Sequence, residues 1–202
     1  MKTLHVLALL SLSVFVVSCG IGHDRNRSEM LVSVADQKML LSQRGQPVKV
    51  YPVSTSKFGL GDVPKSKCTP LGTMKVARKF GDGAVPGTVY KSRKPTGEIL
   101  KPDAPGRDPI VTRILWLRGT EEQNRNAFDR YIYIHGTPEE RTIGSATSYG
   151  CIRMKSHDVI DLYNRVGINA SVTVVTQPLS QTEAGRLYDQ AIQTQQAAAT
   201  AQ

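Results

Sequence analysis

The run Arg130-Tyr131-Ile132-Tyr133-Ile134-His135, followed at once by Gly136, constrains this chain more than any other segment. Bulky β-branched and aromatic residues crowd a helix but pack well on a pleated sheet, so the run reads as a strand. Similar short runs recur along the chain. Met39-Leu40-Leu41 and Val48-Lys49-Val50-Tyr51-Pro52-Val53 flank a turn at Gln43-Arg44-Gly45-Gln46. Thr69-Pro70-Leu71-Gly72-Thr73-Met74-Lys75-Val76 reads as a turn entering a strand, Val111 to Leu117 alternates around the single tryptophan Trp116, and Ala170 to Val175 supplies a last strand. Residues 54–69 and 81–108 are rich in Gly, Pro and Lys and predict loops or short irregular hairpins. One helix is expected from a Ser156 cap to about Val166, ended by Gly167. A second is expected from Thr182 to about Gln195, with a frayed Gln- and Ala-rich end. The expected fold is mostly β, a mixed β domain over residues 29–177 with one or two short helices, then a polar C-terminal helix or tail over 178–202.

A chain of 202 residues holds one domain with a real core and hardly two. Lys and Arg exceed Asp and Glu by 26 to 17, a formal net charge of +9, which suits an acidic partner. Basic residues interleaved with aromatics in a nucleic-acid module are absent, so nucleic acid is not the expected partner. Lys2 and the apolar run Leu4 to Val17 form a segment too short to span a membrane comfortably and suited to a secretory signal over 1–18. Residues 19–28 read as a polar tether. Val16-Val17-Ser18-Cys19 resembles the lipobox of bacterial lipoproteins, which implies a lipid on Cys19 and an extracytoplasmic, membrane-anchored protein, facing the periplasm in a Gram-negative cell. An ordinary signal peptide with an incidental Cys19 is the alternative. The three cysteines include no CxxC pair, and the His and Cys positions lack the third and fourth ligands of a metal site, so no metal is expected.

His5 falls in the signal, His23 in the tether, and His157 in the first turn of a helix, at the surface. That leaves His135, which closes a strand, and Cys151 sixteen positions later within Ser148-Tyr149-Gly150-Cys151-Ile152-Arg153. A thiol with a pKa near about 8.5 needs a neighbouring base or positive charge to become a nucleophile at neutral pH. Gly150 permits a sharp turn in which amide N–H groups can face a developing oxyanion. A structural Cys151, or a Cys68–Cys151 disulfide, are the competing readings of the same residues.

Ile134-His135-Gly136-Thr137 and Ser148-Tyr149-Gly150-Cys151-Ile152-Arg153 resemble the signature of the YkuD-type L,D-transpeptidases. Val53-Ser54-Thr55-Ser56 and Thr69-Pro70-Leu71-Gly72-Thr73-Met74 are similar to further elements of that family, in the right order, over about residues 36–176. The resemblance implies a YkuD-like β-sandwich and an enzyme of the bacterial cell wall. It also implies a thioester formed between Cys151 and a peptidoglycan stem tetrapeptide, with release of D-alanine. His135 would be the base, the Gly136 carbonyl its orienting group, and the amides of Gly150, Cys151 and Tyr149 the oxyanion hole, with Ser148 a further oxyanion- or substrate-binding residue. Arg153 is expected to bind a substrate carboxylate, or else to form a surface salt bridge. No cofactor is needed, and the enzyme is expected to be a monomer. The chain departs from the family at Tyr149, where a His is common; a phenol hydrogen-bonds but carries no positive charge. Three acceptors remain open: a stem amine gives a crosslink, a protein lysine attaches that protein to the wall, and water gives a hydrolase. A non-catalytic peptidoglycan-binding lipoprotein is the reading from a different class.

Overall fold

The computed structural model describes residues 28–200, so the expected signal, Cys19 and nearly all of the tether lie outside the described residues. Ten strands form one mixed sheet: β1 (Ser28–Ser33), β2 (Lys38–Gln43), β3 (Gln46–Pro52), β4 (Gly72–Phe80), β5 (Thr88–Lys91), β6 (Lys94–Ile99), β7 (Ile110–Gly119), β8 (Tyr133–Gly136), β9 (Ile152–Met154) and β10 (Ser171–Val175). Two α-helices join them, α1 (Ser156–Arg165) and α2 (Glu183–Thr200). The fold is mostly β, as expected.

The β2–β3 hairpin turns on Arg44 and Gly45, with φ of 54° and 75°. Two positive φ values in a two-residue loop match the natural twist of a hairpin, and this is the turn read from Gln43 to Gln46. β1 was not expected. It starts at Ser28, which pairs with Gln43, so the tether ends one residue earlier than its composition suggests. β1 runs parallel to β10, from Glu29 opposite Ser171 to Ser33 opposite Val175, and thereby joins the first and last strands of the domain.

One path through the sheet runs β3-β2-β1-β10-β4-β7, and β7 then pairs β8, which pairs β9. Just past β3, Ser54 bridges Arg153 of β9 through two backbone bonds of 3.0 and 2.9 Å. The far ends of the path therefore meet, and the sheet curls around its own core. Met30, Val32, Leu41, Met74, Leu115, Leu117, Ile134 and Ile152 fill that core, with Val159 and Leu162 of α1 closing it. β7 is buried on both faces rather than half-exposed: Leu115 and Leu117 face the main core, while Ile114 and Trp116 join Tyr90 and Tyr133 in a second cluster that touches Cys151.

Three expectations need correcting. The strand read from Arg130 begins at Tyr133, because Tyr131 sits in the left-handed region at φ 57° and turns the chain into the sheet. Ser156 is the first helical residue rather than the cap. Lys155 holds the cap position without a side-chain bond, and the Ser156 N–H is satisfied by Glu140 Oε1 at 2.8 Å. α2 continues to Thr200 instead of fraying near Gln195, started by Thr182, whose Oγ1 accepts the Gly185 N–H at 3.0 Å.

The loop over 54–69 is fastened by Arg130. Its Nη1 donates to the Gly61 carbonyl at 3.0 Å and to Asp62 Oδ1 at 2.6 Å, and its Nη2 to the carbonyls of Ser66 and Cys68 at 2.7 Å each. Both charged side chains are almost wholly buried, at 6% and 4% exposure. Removing one member leaves the other charge desolvated and unpaired. Arg130→Met is expected to cost about 3–5 kcal/mol of unfolding free energy in urea titration. Arg130→Met/Asp62→Leu should recover part of the loss, and a loss under about 1 kcal/mol would show that this pair does not hold the loop.

Candidate active site

The site follows from the register of two parallel strands. Ile134 stands opposite Ile152, His135 opposite Arg153, and Gly136 opposite Met154. Side chains alternate along a strand, and Ile134, Ile152 and Met154 face the main core. His135, Arg153 and Cys151, which lies one residue before β9, therefore share the other face with Tyr133. The half-buried thiol is cradled by the chain entering β8. The Tyr133 N–H points at Sγ from 3.4 Å, and the Tyr131 carbonyl lies 3.5 Å from it.

The His135 ring is buried, with Nδ1 2.8 Å from the Gly136 carbonyl. A carbonyl only accepts, so Nδ1 carries the hydrogen and, in the neutral ring, Nε2 keeps its lone pair. Gly136 is required for close approach, since a Cβ there would stand 2.7 Å from the Val111 carbonyl and 3.0 Å from Thr112 Cβ. Gly150 is required for its backbone: φ is +119°, and a Cβ would lie 3.2 Å from the Cys68 carbonyl. The Gly150 carbonyl accepts from Thr69 Oγ1 at 3.0 Å, and its N–H is donated to Ser148 Oγ at 3.2 Å. Ser148 Oγ in turn donates to the Cys151 carbonyl at 2.6 Å, so this buried hydroxyl braces the whole Ser148–Cys151 turn. Gly150 reaches an oxyanion only by exchanging that Ser148 contact.

Arg153 is placed differently from either expectation. Its side chain is 3% exposed and pairs with Asp108 and, at 3.5 Å, with Glu139, while Nη2 donates to Thr142 Oγ1 at 3.2 Å and to Thr147. β9 directs it beneath the loops around Asp108 and Thr142, where a guanidinium must be paired to be tolerated. It is a buried strut rather than an exposed carboxylate clamp or surface salt bridge. Tyr149, by contrast, is exposed. Lys57 Nζ donates to its hydroxyl at 3.1 Å, and that ammonium lowers the phenol pKa. Cys68 and Cys151 are both free thiols, and His157 is exposed beside Asp158.

Electrostatics favour an uncharged resting pair. Burial lowers the His135 pKa and outweighs the Gly136 carbonyl and Asp108, which favour the charged ring; Arg153 adds to the lowering. Burial likewise pushes the Cys151 thiol up to about 11, against the Tyr133 N–H and the charges of Arg130 and Arg153. Arg130, Asp108 and Lys57 escaped the sequence reading. Arg130 lay inside a run valued for its β-formers, and the other two lie in loops whose folding back onto the Cys151 turn has no local pattern.

The model of the L,D-transpeptidase catalytic domain, YkuD, matches residues 27–174. No curated protein matches the sequence significantly. Similar solved structures include an L,D-transpeptidase from Mycobacterium smegmatis, at 20% identity and TM-score 0.47 over 74% of this chain and 59% of that one. L,D-transpeptidase 3 from Mycobacterium tuberculosis, in complex with a faropenem-derived adduct, is 20% identical with TM-score 0.48 over 74% and 60%. An L,D-transpeptidase from Xylanimonas cellulosilytica is 16% identical with TM-score 0.47 over 74% and 61%. The match spans about three fifths of each of those chains. With the family model covering nearly all of the sheet from β1 to β10, the chain belongs to the family of L,D-transpeptidase catalytic domains.

Proposed function

We propose that Cys151 and His135 are the nucleophile and base of a transpeptidase acting on peptidoglycan stem tetrapeptides. The observation that carries this reading is the common face of β8 and β9, which the thiol shares with an imidazole whose Nδ1 is held by the Gly136 carbonyl, leaving Nε2 as its acceptor. Nε2 takes the thiol proton as Sγ attacks the carbonyl of the third stem residue, and the N–H groups of Tyr149 and Cys151 receive the oxyanion, joined by that of Gly150 once it leaves Ser148 Oγ. The Gly136 carbonyl and Asp108 stabilise the imidazolium while it exists. The proton passes to the departing D-alanine amine and a thioester remains. An acceptor amine, deprotonated by the same Nε2, releases the acyl group. With water as acceptor the same residues make a hydrolase.

Mass spectrometry of isolated peptidoglycan fragments incubated with the purified protein tests the reading. Crosslinked or acceptor-linked products with free D-alanine are expected; D-alanine release without transfer identifies a hydrolase, and unchanged fragments a binder. Cys151→Ala should abolish turnover and covalent labelling by a carbapenem, and labelling that survives would overturn the assignment. His135→Ala should slow acylation by on the order of a hundredfold or more, and His157→Ala hardly at all. Equal losses at the two positions mean that the base has been misassigned.

The pH dependence follows from the resting charges. Acylation needs neutral His135, whose pKa is depressed, so activity is present above that pKa and is lost as pH falls through it. The acid limb should therefore lie below the ordinary imidazole value of about 6.5, with no loss from thiol ionisation at neutral pH. A preformed thiolate–imidazolium pair would instead lose activity on both sides of neutrality, and such a bell in single-turnover acylation rejects the neutral pair.

We propose further, from the lipobox-like Val16-Val17-Ser18-Cys19, that the domain lies outside the cytoplasm, tethered by lipid on Cys19. Intact mass of membrane-extracted protein should show a mature chain starting at an acylated Cys19, and a lipid-free start elsewhere would make that cysteine incidental.

A further inference from the structure

With Arg153 buried, Lys57 and Lys67 are two cations that face solvent beside the Ser148–Cys151 turn. Both converge on one pair of exposed rings. Lys57 Nζ lies 4.4 Å from the Tyr149 ring centroid and 5.4 Å from that of Phe58. Lys67 Nζ lies 5.2 and 5.3 Å from the same two centroids, and the rings are 5.4 Å apart. Two ammonium groups gathered over one aromatic pair repel each other, yet neither is within ion-pairing distance of a carboxylate among the described residues. Glu139, the acidic group whose field reaches Tyr149, is itself paired with Arg153.

The backbone of Lys57 is bonded to the turn that carries the thiol, and that of Lys67 lies close to it. The Lys57 N–H donates to the Ser148 carbonyl at 3.1 Å. The Lys67 carbonyl accepts from Ser56 Oγ and would stand 3.4 Å from a Cβ on Gly150. Tyr149 itself lies two residues before Cys151. Paired positive charge, a phenol donor and an apolar floor, all open to solvent and lacking a counter-ion, fit a carboxylate.

We infer that Lys57, Lys67 and Tyr149 form a carboxylate-binding subsite at the mouth of the Cys151 site, which takes a carboxylate of the acyl-donor peptide. That the ligand is the donor peptide rests on the transpeptidase reading; that the site binds a carboxylate does not. A stem peptide offers a terminal carboxylate and, where the third residue is acidic, a side-chain one.

The test compares alkylation of Cys151 by anionic iodoacetate and neutral iodoacetamide in a Cys68→Ser background. The ratio of the two rates cancels any change in thiol ionisation. Lys57→Gln/Lys67→Gln should lower the iodoacetate-to-iodoacetamide ratio by about fivefold, as expected for unit charges a few ångströms apart in water. Arg44→Gln/Lys75→Gln, equal in net charge and remote in the fold, should leave it unchanged. An unchanged ratio in the first variant, or an equal fall in the second, overturns the inference. Tetrapeptides ending in a free acid or an amide then separate the two carboxylates. A KM raised by the lysine substitutions for the acid alone assigns the terminal group, and a rise for both assigns the side chain. A rise for neither removes the donor peptide as ligand. If neither peptide turns over on the unsubstituted protein while the alkylation ratio still falls, the transpeptidase reading fails and the carboxylate site stands.

Discussion

β9 is only three residues long, and it stays in the sheet because both of its edges are paired. β8 takes one edge in parallel register, and Ser54 takes the other through a reciprocal pair of backbone bonds with Arg153. That second contact closes the sheet on itself and draws the loop after β3 across the turn before β9. The bridge between Ser56 and Ser148 and the bond from Thr69 Oγ1 to the Gly150 carbonyl continue the same seam. The backbone around the thiol is held from this seam and from the entry to β8, where the Tyr133 N–H and the Tyr131 carbonyl face Sγ. A short strand with one free edge would leave Cys151 on a mobile loop.

The polar face of β8 and β9 is held by charges placed where water does not reach. Arg153 is surrounded by Asp108, Glu139 and two threonine hydroxyls, and Arg130 by Asp62 and three carbonyls. Such ions add little net stability compared with apolar packing, but each is costly to misplace, so they fix geometry. They also set the field at His135. Asp108 favours a charged His135 and Arg153 opposes it, which leaves burial to decide and keeps the ring neutral at rest.

Much of this was legible in the residues, for local reasons. The β2–β3 hairpin announces itself through Arg44-Gly45, and the strand at His135 and the helix ended by Gly167 carry patterns that need no distant partner. His135 and Cys151 stood out because their chemistry is rare and their flanking glycines constrain the backbone. What stayed hidden depends on contacts far apart in sequence. Nothing local distinguishes Ser28–Ser33 from the tether until β10 pairs with it. Arg153 looks like an exposed clamp until the loops bearing Asp108 and Glu139 close over it. The pairing of Lys57 and Lys67 over Tyr149 exists only once the 54–69 loop has folded back.

A thiol pushed up to about 11 has a further consequence for how long such a protein survives in use. At neutral pH that favours the thiol over the thiolate, the form that peroxide and stray electrophiles attack. Burial that favours the neutral thiol keeps the sulfur in its less reactive form until a base removes the proton. Packing of Cys151 against the cluster that holds Tyr133 and Trp116 thus favours chemical durability of the sulfur over instantaneous readiness.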